Sequence, residues 1–491
     1  MTLFSALRRH AQTRPDQPAL VEFTRHLSYR QLLAQCEQLA ATLSAAGVQR
    51  LAMAIDNGIP WALLDLACAH AGIVAIPVPA FFSAQQKQWL LESSGADALA
   101  VQDATPWQPL LGASWQPQTL AGYRLLRRAV AAPPALPSGT AKITYTSGTT
   151  GQPKGVCLSL AQLEAVCRSL AERVAPAKVE RHLTLLPLTT LLENLTGLYV
   201  PLLTGATTVL PSLAEVGFTG SSRLDPACLT ALLGREHPHS LVLVPELLRL
   251  LVGLCQRQPA LARYLGQQLR FVAVGGGKVA PALLLAARQL GLPVYEGYGL
   301  SECGSVVALN GPDGDKPGSV GRVLPHCRVT LADDGEVLVE GAAMLGYLGE
   351  PPVSGAIHTG DLGRLDEEGF LFITGRKKNV QITAFGRNFS PEWVEAEAQL
   401  EPAIARCVVF GDGLARNVAL LEPMAGQEGA LAEQVARLNR RLPDYAGIHR
   451  WFVATLSPES DLLTANGRPR RERIFAAYRH QIEQLSQGES L

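Results

Sequence analysis

Short apolar runs alternate with helical stretches along most of this 491-residue chain, and this alternation restricts its fold more than any other feature. The segment VAIPVP (74–79) is strand-like, and LVLVP (241–245) and FVAV (271–274) read as strands buried on both faces. A helical segment follows each of the last two runs, and repeated strand–helix units favour an α/β architecture with parallel strands. Residues 1–45 are predicted to be helical, because apolar residues recur there at helical spacing.

The length of the chain and a change in its sequence pattern predict more than one domain. A chain of 491 residues is too long to be organised around one hydrophobic core. From about residue 318, short strand-like segments are joined by Asp-Gly and Glu-Gly turns, which are typical of β-hairpins. We therefore predict a large N-terminal domain over residues 1–377, built from α/β subdomains with a β-rich subdomain at about 318–377. Residues 378–491 are predicted to form a small α+β C-terminal domain.

Composition and charge exclude several classes of protein. The formal net charge is zero, whereas a nucleic-acid-binding surface needs an excess of basic residues. The nine cysteines include no Cys-x-x-Cys pair and no Cys/His cluster with zinc-ligand spacing, which predicts free thiols in a cytoplasmic enzyme. The most apolar stretch, residues 183–210, contains Glu193 and two prolines, so it is predicted to be a buried helix and strand rather than a transmembrane segment. The N-terminal residues lack the apolar core of a signal peptide.

The string 143-ITYTSGTTGQPKGV-156 is the sharpest indication of chemistry in the chain. Glycines let the backbone approach a phosphate group closely, while hydroxyl and amide groups donate hydrogen bonds to its oxygens. Lys154 adds a mobile positive charge. The order differs from the G-x-x-x-x-G-K-[ST] phosphate loop, because Lys154 follows a proline and precedes a glycine. The residues predicted to bind phosphate here are Thr146, Ser147, Gly148, Thr149, Thr150, Gly151 and Lys154.

This string and the motifs that follow it resemble, in their order, those of the adenylate-forming enzymes, which include acyl-CoA synthetases, luciferases and the adenylation domains of peptide synthetases. The further motifs are 274-VGGGKV-279, 295-YEGYGLSE-302, 358-HTGD-361 and 375-GRKKNVQITAFGRNFSPEWVE-395. The resemblance covers essentially the whole chain. It implies ATP and Mg²⁺ as cofactors, with either coenzyme A or the phosphopantetheine of a carrier protein as the thiol acceptor.

The resemblance also implies a role for individual residues. Tyr298 packs on adenine. Ser301, at a position where the family usually has threonine, contacts the α-phosphate. Glu302 and Thr146 together hold Mg²⁺. Asp361 accepts hydrogen bonds from both ribose hydroxyls, and Arg376 lies near the ribose and phosphates. The residues implied to bind the nucleotide beyond the phosphate string are Gly276, Gly277, Glu296, Gly297, Tyr298, Gly299, Ser301, Asp361 and Arg376.

Two positions in the last motif are implied to serve the second half of the reaction. Lys378 falls at the hinge about which the family's small domain pivots. Gly386 lies in the segment that reaches the thiol tunnel after this rotation.

The segment 462-LLTANGRPRRERI-474 departs from the family pattern. The family has a lysine here that bridges the substrate carboxylate and the α-phosphate during adenylation, and Arg468 stands in its place. Arginine keeps the charge but presents a planar fork instead of a point charge. Either Arg468 performs the same role or adenylation is slowed. We favour the first reading, since arginine also pairs with phosphate and carboxylate oxygens and no lysine follows Lys378.

The acid substrate is predicted from two leucine-rich segments, 186-LPLTTLLENLTG-197 and 245-PELLRLLVGL-254. The first resembles the LPLxHxxE pattern of long-chain acyl-CoA synthetases, with Thr190 in place of the histidine and Glu193 retained. Amino-acid-activating relatives carry an aspartate near the start of the corresponding helix, where this chain has Leu191 and Leu192. An ammonium group would lack its partner there. We therefore predict an apolar acid, a fatty acid before an aryl acid, with plain core packing as the alternative role for these leucines.

These motifs together predict an enzyme that joins a carboxylate to AMP with release of pyrophosphate and then passes the acyl group to a thiol. Attack on the α-phosphate needs positive charge, Mg²⁺ and positioning, but no general base, because the nucleophile is already a carboxylate. The catalytic residues are then Lys154, Glu302 and Arg468. The alternatives are a ligase that loads a separate acyl carrier protein, an aryl-acid CoA ligase, and a non-catalytic relative that only binds a nucleotide.

Overall fold

The computed structural model describes residues 1–146, 153–219, 223–382, 388–414, 416–456, 461–464 and 467–487. Two large sheets, each with a parallel centre, dominate the N-terminal part of the chain. A smaller antiparallel sheet follows them, and a separate three-stranded sheet belongs to the C-terminal part. This arrangement confirms the predicted α/β class.

The first large sheet is parallel from Val294–Tyr298 to Pro18–Glu22 and antiparallel at both edges. Its strands are apolar on both faces because helices cover both sides, as in other parallel sheets. In spatial order the strands are Arg322–Val323, Ala308–Leu309, Val294–Tyr298, Phe271–Val274, Ser240–Leu243, Arg181–Leu183, Thr207–Val209, Pro18–Glu22 and Arg25–Ser28.

The second large sheet has a parallel centre formed by four strands, from Thr140–Thr146 to Ala98–Val101. Antiparallel strands extend it on both sides. In spatial order the strands are Gly346–Tyr347, Lys154–Ser159, Thr140–Thr146, Val74–Pro77, Arg50–Ala54, Ala98–Val101, Tyr123–Arg127 and Gln116–Leu120.

Helices pack between the two sheets and on their outer faces. Local sequence defines where several begin: Ser28 with Gln31 and Ser159 with Gln162 form capping boxes, in which side chain and backbone satisfy each other's N–H groups. Other helices begin at a proline, which has no N–H group to leave unpaired. The helices of this part are Leu3–Thr13, Tyr29–Ala45, Ile59–Ala71, Ala84–Ser94, Leu160–Val174, Leu191–Glu193, Val200–Thr204, Leu213–Val216, Pro226–Glu236, Pro245–Arg257, Pro259–Gln268 and Pro281–Gln289.

The β-rich segment forms an antiparallel sheet, as its turn residues predicted. Its strands, in spatial order, are Cys327–Leu331, Glu336–Gly341, Ile357–Leu365 and Leu371–Arg376. The first hairpin turns at Asp333–Gly335 and the last near Gly369, and both Gly335 and Gly369 have positive φ, the conformation that glycine adopts without strain.

The C-terminal part packs around a sheet of the strands Ile404–Phe410, Val418–Pro423 and Arg450–Val453. A short pairing of Gln381–Ile382 with Asn388–Phe389 precedes it. The helices here are Pro391–Ala398, Leu431–Asn439 and Arg471–Gln487. Two apolar clusters lie on the faces of this sheet, so this part has a core of its own.

The fold differs from the sequence prediction near the N-terminus. The prediction of helix over residues 1–45 is wrong in part, because the strands Pro18–Glu22 and Arg25–Ser28 separate the helices Leu3–Thr13 and Tyr29–Ala45. Pro18–Glu22 pairs with the distant strand Thr207–Val209, a tertiary contact that overrides the local pattern. No described helix combines the length and apolar character that crossing a membrane requires.

Candidate active site

The predicted nucleotide motifs follow three strands at their carboxyl ends. Thr146 ends the strand Thr140–Thr146, the glycine turn follows Phe271–Val274, and Tyr298 ends Val294–Tyr298. In open α/β sheets, ligands bind in the crevice outside the carboxyl ends of the strands. The fold therefore places these motifs where a nucleotide site is expected.

Lys154 lies directly opposite Thr146, because the strands on either side of the predicted phosphate string pair in antiparallel register. Ser147, Gly148, Thr149, Thr150 and Gly151 lie outside the described residues. The Lys154 ammonium group is half-exposed and lies 3.1 Å from Glu350 Oε1. It also lies 4.7 Å from the centroid of the Tyr347 ring. Lys154 is therefore held at the surface by contacts that a triphosphate could replace.

Glu302 lies in the short 3₁₀ turn Ser301–Cys303, half-buried, with its carboxylate turned toward the same tyrosine. The Tyr347 hydroxyl donates to Glu302 Oε1 at 2.9 Å. No group of three or more acidic, histidine or cysteine side chains within the described ranges could hold a metal by itself. A single carboxylate still suits Mg²⁺, which in nucleotide sites is held by one or two carboxylates together with phosphate oxygens and water. Glu302 therefore fits the predicted metal role.

The glycines of the two adenine motifs allow backbone conformations and contacts that a larger residue would prevent. Gly276 has a φ of 77°, in the left-handed region, and turns the chain away from the sheet beside Gly277. A Cβ atom on Gly299 would lie 2.0 Å from the Ser305 carbonyl oxygen, so the loop after Tyr298 closes only around glycine. Gly297 and Tyr298 pair with the antiparallel strand Ala308–Leu309.

Asp361 contacts both Tyr298 and Arg376. Asp361 is 4% exposed, and its carboxylate accepts a hydrogen bond from the Tyr298 hydroxyl at 2.7 Å. Arg376 Nε lies 2.9 Å from the other carboxylate oxygen, because Asp361 and Arg376 are register partners on adjacent strands. Burial raises the pKa of the Asp361 carboxyl, while Arg376 opposes that shift. The arrangement leaves a charged acceptor oriented beside the aromatic ring that is predicted to pack on adenine.

Glu296 is buried beneath the same motif. Burial raises the pKa of its carboxyl to about 7, and Lys278 and Arg288 partly counteract that shift. The Lys278 ammonium group donates to the Ile373 carbonyl at 2.8 Å, which joins the glycine turn to the strand that carries Arg376. Glu296 thus contributes to the electrostatics beneath the predicted adenine site.

Arg468 reaches the nucleotide motifs from the C-terminal part of the chain. Its guanidinium group donates to the Gly276 carbonyl oxygen. Contacts on both sides fix its backbone: Thr464 Oγ1 accepts from the Arg468 N–H at 2.9 Å, and Leu463 bridges to Pro469. The residue as a whole is exposed, but its guanidinium end is desolvated, which lowers the pKa of Arg468.

Of the two positions implied to serve the second half-reaction, Lys378 lies within the described residues. Lys378 is exposed in the 3₁₀ turn Lys377–Asn379. The preceding Lys377 is anchored to the β-rich sheet through Asp334 and Glu336. Gly386 lies outside the described residues. The hinge and thiol-tunnel roles remain predictions.

The predicted acid-pocket segment is buried and irregular. Thr190 Oγ1 donates to the Pro187 carbonyl at 2.7 Å, and after it Leu191 is buried and Leu192 half-buried. Glu193 is fully buried: Oε1 lies 3.3 Å from His182 Nε2, while Oε2 has no hydrogen-bond partner among the described residues. Burial raises the pKa of Glu193. A π-helical turn follows, a feature that often occurs at functional sites.

Sequence reasoning missed Tyr347 and Glu350, which contact Lys154 and Glu302 directly. Their segment, LGYLGE, has no order of glycines or hydroxyls that indicates chemistry by itself. Only the pairing of Gly346–Tyr347 with the strand that begins at Lys154 reveals their role.

All nine cysteines lie in the described part of the chain and carry free thiols, as predicted. Seven of them are buried. They therefore behave as small apolar residues of the core.

The protein-family model described as AMP-binding enzyme matches residues 7–350. A second family model, described as AMP-binding enzyme C-terminal domain, matches residues 379–490. The long-chain-fatty-acid–CoA ligase FadD15 of Mycobacterium bovis is 28% identical over 483 residues, covering 81% of this chain and 78% of its own. The indoleacetate–CoA ligase of Aromatoleum aromaticum is 30% identical over 450 residues, covering 84% of this chain and 85% of its own.

A solved structure shares the fold over nearly the whole chain. The o-succinylbenzoate coenzyme A synthetase from Bacillus subtilis, in complex with ATP and a magnesium ion, has a TM-score of 0.73 and 24% identity. It covers 95% of this chain and 98% of its own. The prediction of an acid–thiol ligase is confirmed by the named relatives, which are CoA ligases. The first family model matches well over half of the length of this chain, and the chain therefore belongs to the AMP-binding enzyme family.

Proposed function

We propose that the protein activates an apolar carboxylic acid with Mg-ATP, forming an acyl-AMP and pyrophosphate, and then transfers the acyl group to coenzyme A. One observation carries the proposal: Arg468 reaches from the C-terminal part to the Gly276 carbonyl. This contact brings a positive charge to the nucleotide motifs, which supports a role for Arg468 where the reacting carboxylate meets the α-phosphate. A protein that only bound a nucleotide would not need it.

In the first half-reaction the acid's carboxylate attacks the α-phosphorus atom, and the bond to pyrophosphate breaks. Lys154, once released from Glu350, is free to neutralise charge on the outer phosphates. Glu302 would hold Mg²⁺, which would supply positive charge to stabilise the departing pyrophosphate. Asp361 accepts from the ribose hydroxyls, and Arg468 pairs with the acid and the α-phosphate. Positioning and charge stabilisation then provide the catalysis.

An apolar acid is favoured by the character of the predicted pocket. Leu191 and Leu192 stand where an ammonium group would need an acidic partner, and Glu193, the acidic residue nearest to them, is fully buried against His182. An α-ammonium group in such a place would be desolvated without a counter-charge, at a cost of a few kcal/mol. The names of the two relatives, a long-chain-fatty-acid–CoA ligase and an indoleacetate–CoA ligase, agree with a fatty acid or an aryl-substituted acid.

Coenzyme A is favoured as the acceptor because both relatives are CoA ligases by name. The second candidate is the phosphopantetheine arm of a separate acyl carrier protein, which presents the same thiol. We place the reaction in the cytoplasm, in agreement with the nine free cysteines, since thiols stay reduced there.

The test is acid-dependent exchange of pyrophosphate into ATP over a panel of fatty, aryl and amino acids, followed by thioester formation with coenzyme A or with a carrier protein. Exchange with fatty or aryl acids and thioester formation with coenzyme A are expected. The variant Glu302→Gln should lose exchange, while Glu340→Gln, which removes an exposed carboxylate paired with Arg328, should keep it. Absence of exchange over the whole panel, by folded protein that binds ATP, would refute the proposal.

A further inference from the structure

The segment 344–350 contacts both charged side chains that are expected to meet the triphosphate. The Met344 N–H donates to the Glu302 carbonyl oxygen at 2.6 Å, and the Tyr347 hydroxyl donates to the Glu302 carboxylate at 2.9 Å. The ring of the same tyrosine lies beneath the Lys154 ammonium group, and the Glu350 carboxylate pairs with it. One short segment therefore controls the position of two groups that are far apart in the sequence.

Backbone pairing explains why this segment is fixed in place. Gly346 and Tyr347 pair with Cys157 and Val156 at the edge of the second large sheet. The Leu348 N–H donates to the Gly155 carbonyl at 2.8 Å. A Cβ atom on Gly155 would lie 3.2 Å from Leu348 Cβ and 3.0 Å from an Ile143 methyl group, so a glycine lets the segment approach this closely.

The turn that follows brings the carboxylate round to the lysine. The Glu350 N–H donates to the Tyr347 carbonyl at 3.0 Å, which closes a four-residue turn. Gly349, the third residue of that turn, has a φ of 79°. Tyr347 and Glu350 thus hold Lys154 between a ring face and a carboxylate. Both Lys154 and Glu350 are about half-exposed, so their ion pair is weak and replaceable.

We infer that Tyr347 is a positioning residue that orients Glu302 for Mg²⁺, and that Glu350 holds Lys154 away from the nucleotide until the triphosphate displaces it. The inference rests on the proposed roles of Glu302 and Lys154. Tyr347 would act through the carboxylate, without touching the reacting atoms. Glu350 would compete with the phosphates for one ammonium group, so its removal should help nucleotide binding, whereas removal of the tyrosine hydroxyl should hinder metal binding.

The decisive variants are Tyr347→Phe and Glu350→Gln, because the inference predicts opposite signs for them. Tyr347→Phe keeps the ring but leaves Glu302 without its donor. We expect the half-saturating Mg²⁺ concentration for ATP binding to rise about tenfold, the low end for a hydrogen bond to a charged group. Glu350→Gln should lower the KM for Mg-ATP by about two- to fivefold, as loss of an exposed ion pair predicts. Both effects should fall on KM more than on kcat.

Matched controls separate these roles from a general loss of structure. Tyr123→Phe removes another tyrosine hydroxyl, which donates to the Pro60 carbonyl, and Glu340→Gln removes another exposed carboxylate. Neither control should change the Mg²⁺ or ATP dependence. In a double variant with Glu302→Gln, Tyr347→Phe should add nothing further, because the hydroxyl acts through that carboxylate.

Calorimetric titration with Mg-ATP, at several Mg²⁺ concentrations, is the primary measurement, so the result does not depend on finding the acid substrate. If Tyr347→Phe titrates like the wild-type protein, or if its defect adds in full to that of Glu302→Gln, the role of Tyr347 is refuted. If Glu350→Gln weakens Mg-ATP binding, Glu350 does not compete for Lys154. Failure of pyrophosphate exchange with normal Mg-ATP titrations would count against the proposed function alone.

Discussion

Replacement of Arg468 gives the sharpest test of how the C-terminal part acts on the nucleotide. In Arg468→Ala the contact with the Gly276 carbonyl is lost, together with the positive charge that this contact places at the glycine turn. Arg468→Lys restores a charge as a single ammonium group, and it recreates the residue that the family carries at this position. The pair of variants therefore separates the need for charge from the need for a planar fork.

The expected size of the effect follows from the geometry. Loss of one preorganised donor at a reacting centre typically lowers the rate by about 10²–10³-fold. Arg376 remains at the nucleotide motifs, beside Asp361, so part of the positive charge there is kept when Arg468 is removed. We therefore expect Arg468→Ala to lower acid-dependent pyrophosphate exchange by about 10²-fold, the low end of that range. Arg468→Lys should lie within about tenfold of the wild-type rate, since it keeps the charge.

The assay compares the two half-reactions. Thioester formation from synthetic acyl-AMP should be much less affected in Arg468→Ala, because the resemblance implies that this part has rotated away by then. Arg473→Ala is the matched control: it removes a neighbouring arginine that pairs with Asp461 within the C-terminal part. Wild-type exchange by Arg468→Ala would refute the assigned role, and so would equal loss of both half-reactions.

Three further predictions concern the ribose site, the hinge and the buried carboxyl. Asp361→Asn should weaken ATP binding by about 1.5–3 kcal/mol, the contribution of hydrogen bonds to a charged group; an unchanged dissociation constant in a titration would leave Asp361 as a structural residue. Lys378→Pro should spare exchange but impair thioester formation, because proline fixes φ at a pivot; equal damage to both would argue against a hinge there. In the folded protein the pKa of the Glu296 carboxyl is about 7, whereas its ordinary value is 4.5. Between these two pH values the native state binds more protons than the unfolded state, so the free energy of unfolding falls as the pH rises from one to the other. Glu296→Gln should remove about 3 kcal/mol of that pH dependence, and a Tm profile identical to the wild-type one would contradict it.

Much of the architecture could be predicted because its signals are local. Runs such as FVAV became the strand Phe271–Val274, and Asp-Gly and Glu-Gly pairs became hairpin turns. Both depend on residues that are neighbours in the sequence: apolar runs bury themselves, and glycine supplies positive φ where a turn requires it. The order of the motifs likewise placed Tyr298 and Asp361 in one site, where the structure joins them by a hydrogen bond.

The parts that sequence reasoning did not predict depend on contacts between distant residues. The strand Pro18–Glu22 exists because Thr207–Val209 offers it a parallel partner, and nothing in its own composition requires this. Proline at position 18 was the available signal against a continuous helix there. Tyr347 escaped notice for the same reason, since its partners lie 191 and 45 residues away, at Val156 and Glu302.

The helix Pro245–Arg257 has a consequence for substrate choice, because two parts of the molecule share it. Its residue Arg249 donates to the Gln399 carbonyl at 3.0 Å, and Leu400 and Ala396 of the C-terminal part pack into the same apolar cluster as Leu247 and Leu248. On the proposal that this helix lines the acid pocket, an acid that displaces it also disturbs the surface against which the C-terminal part closes. Binding and closure are then thermodynamically linked, and each must favour or oppose the other by the same free energy. The enzyme would select its acid partly by whether the molecule, once bound, still lets the C-terminal part dock.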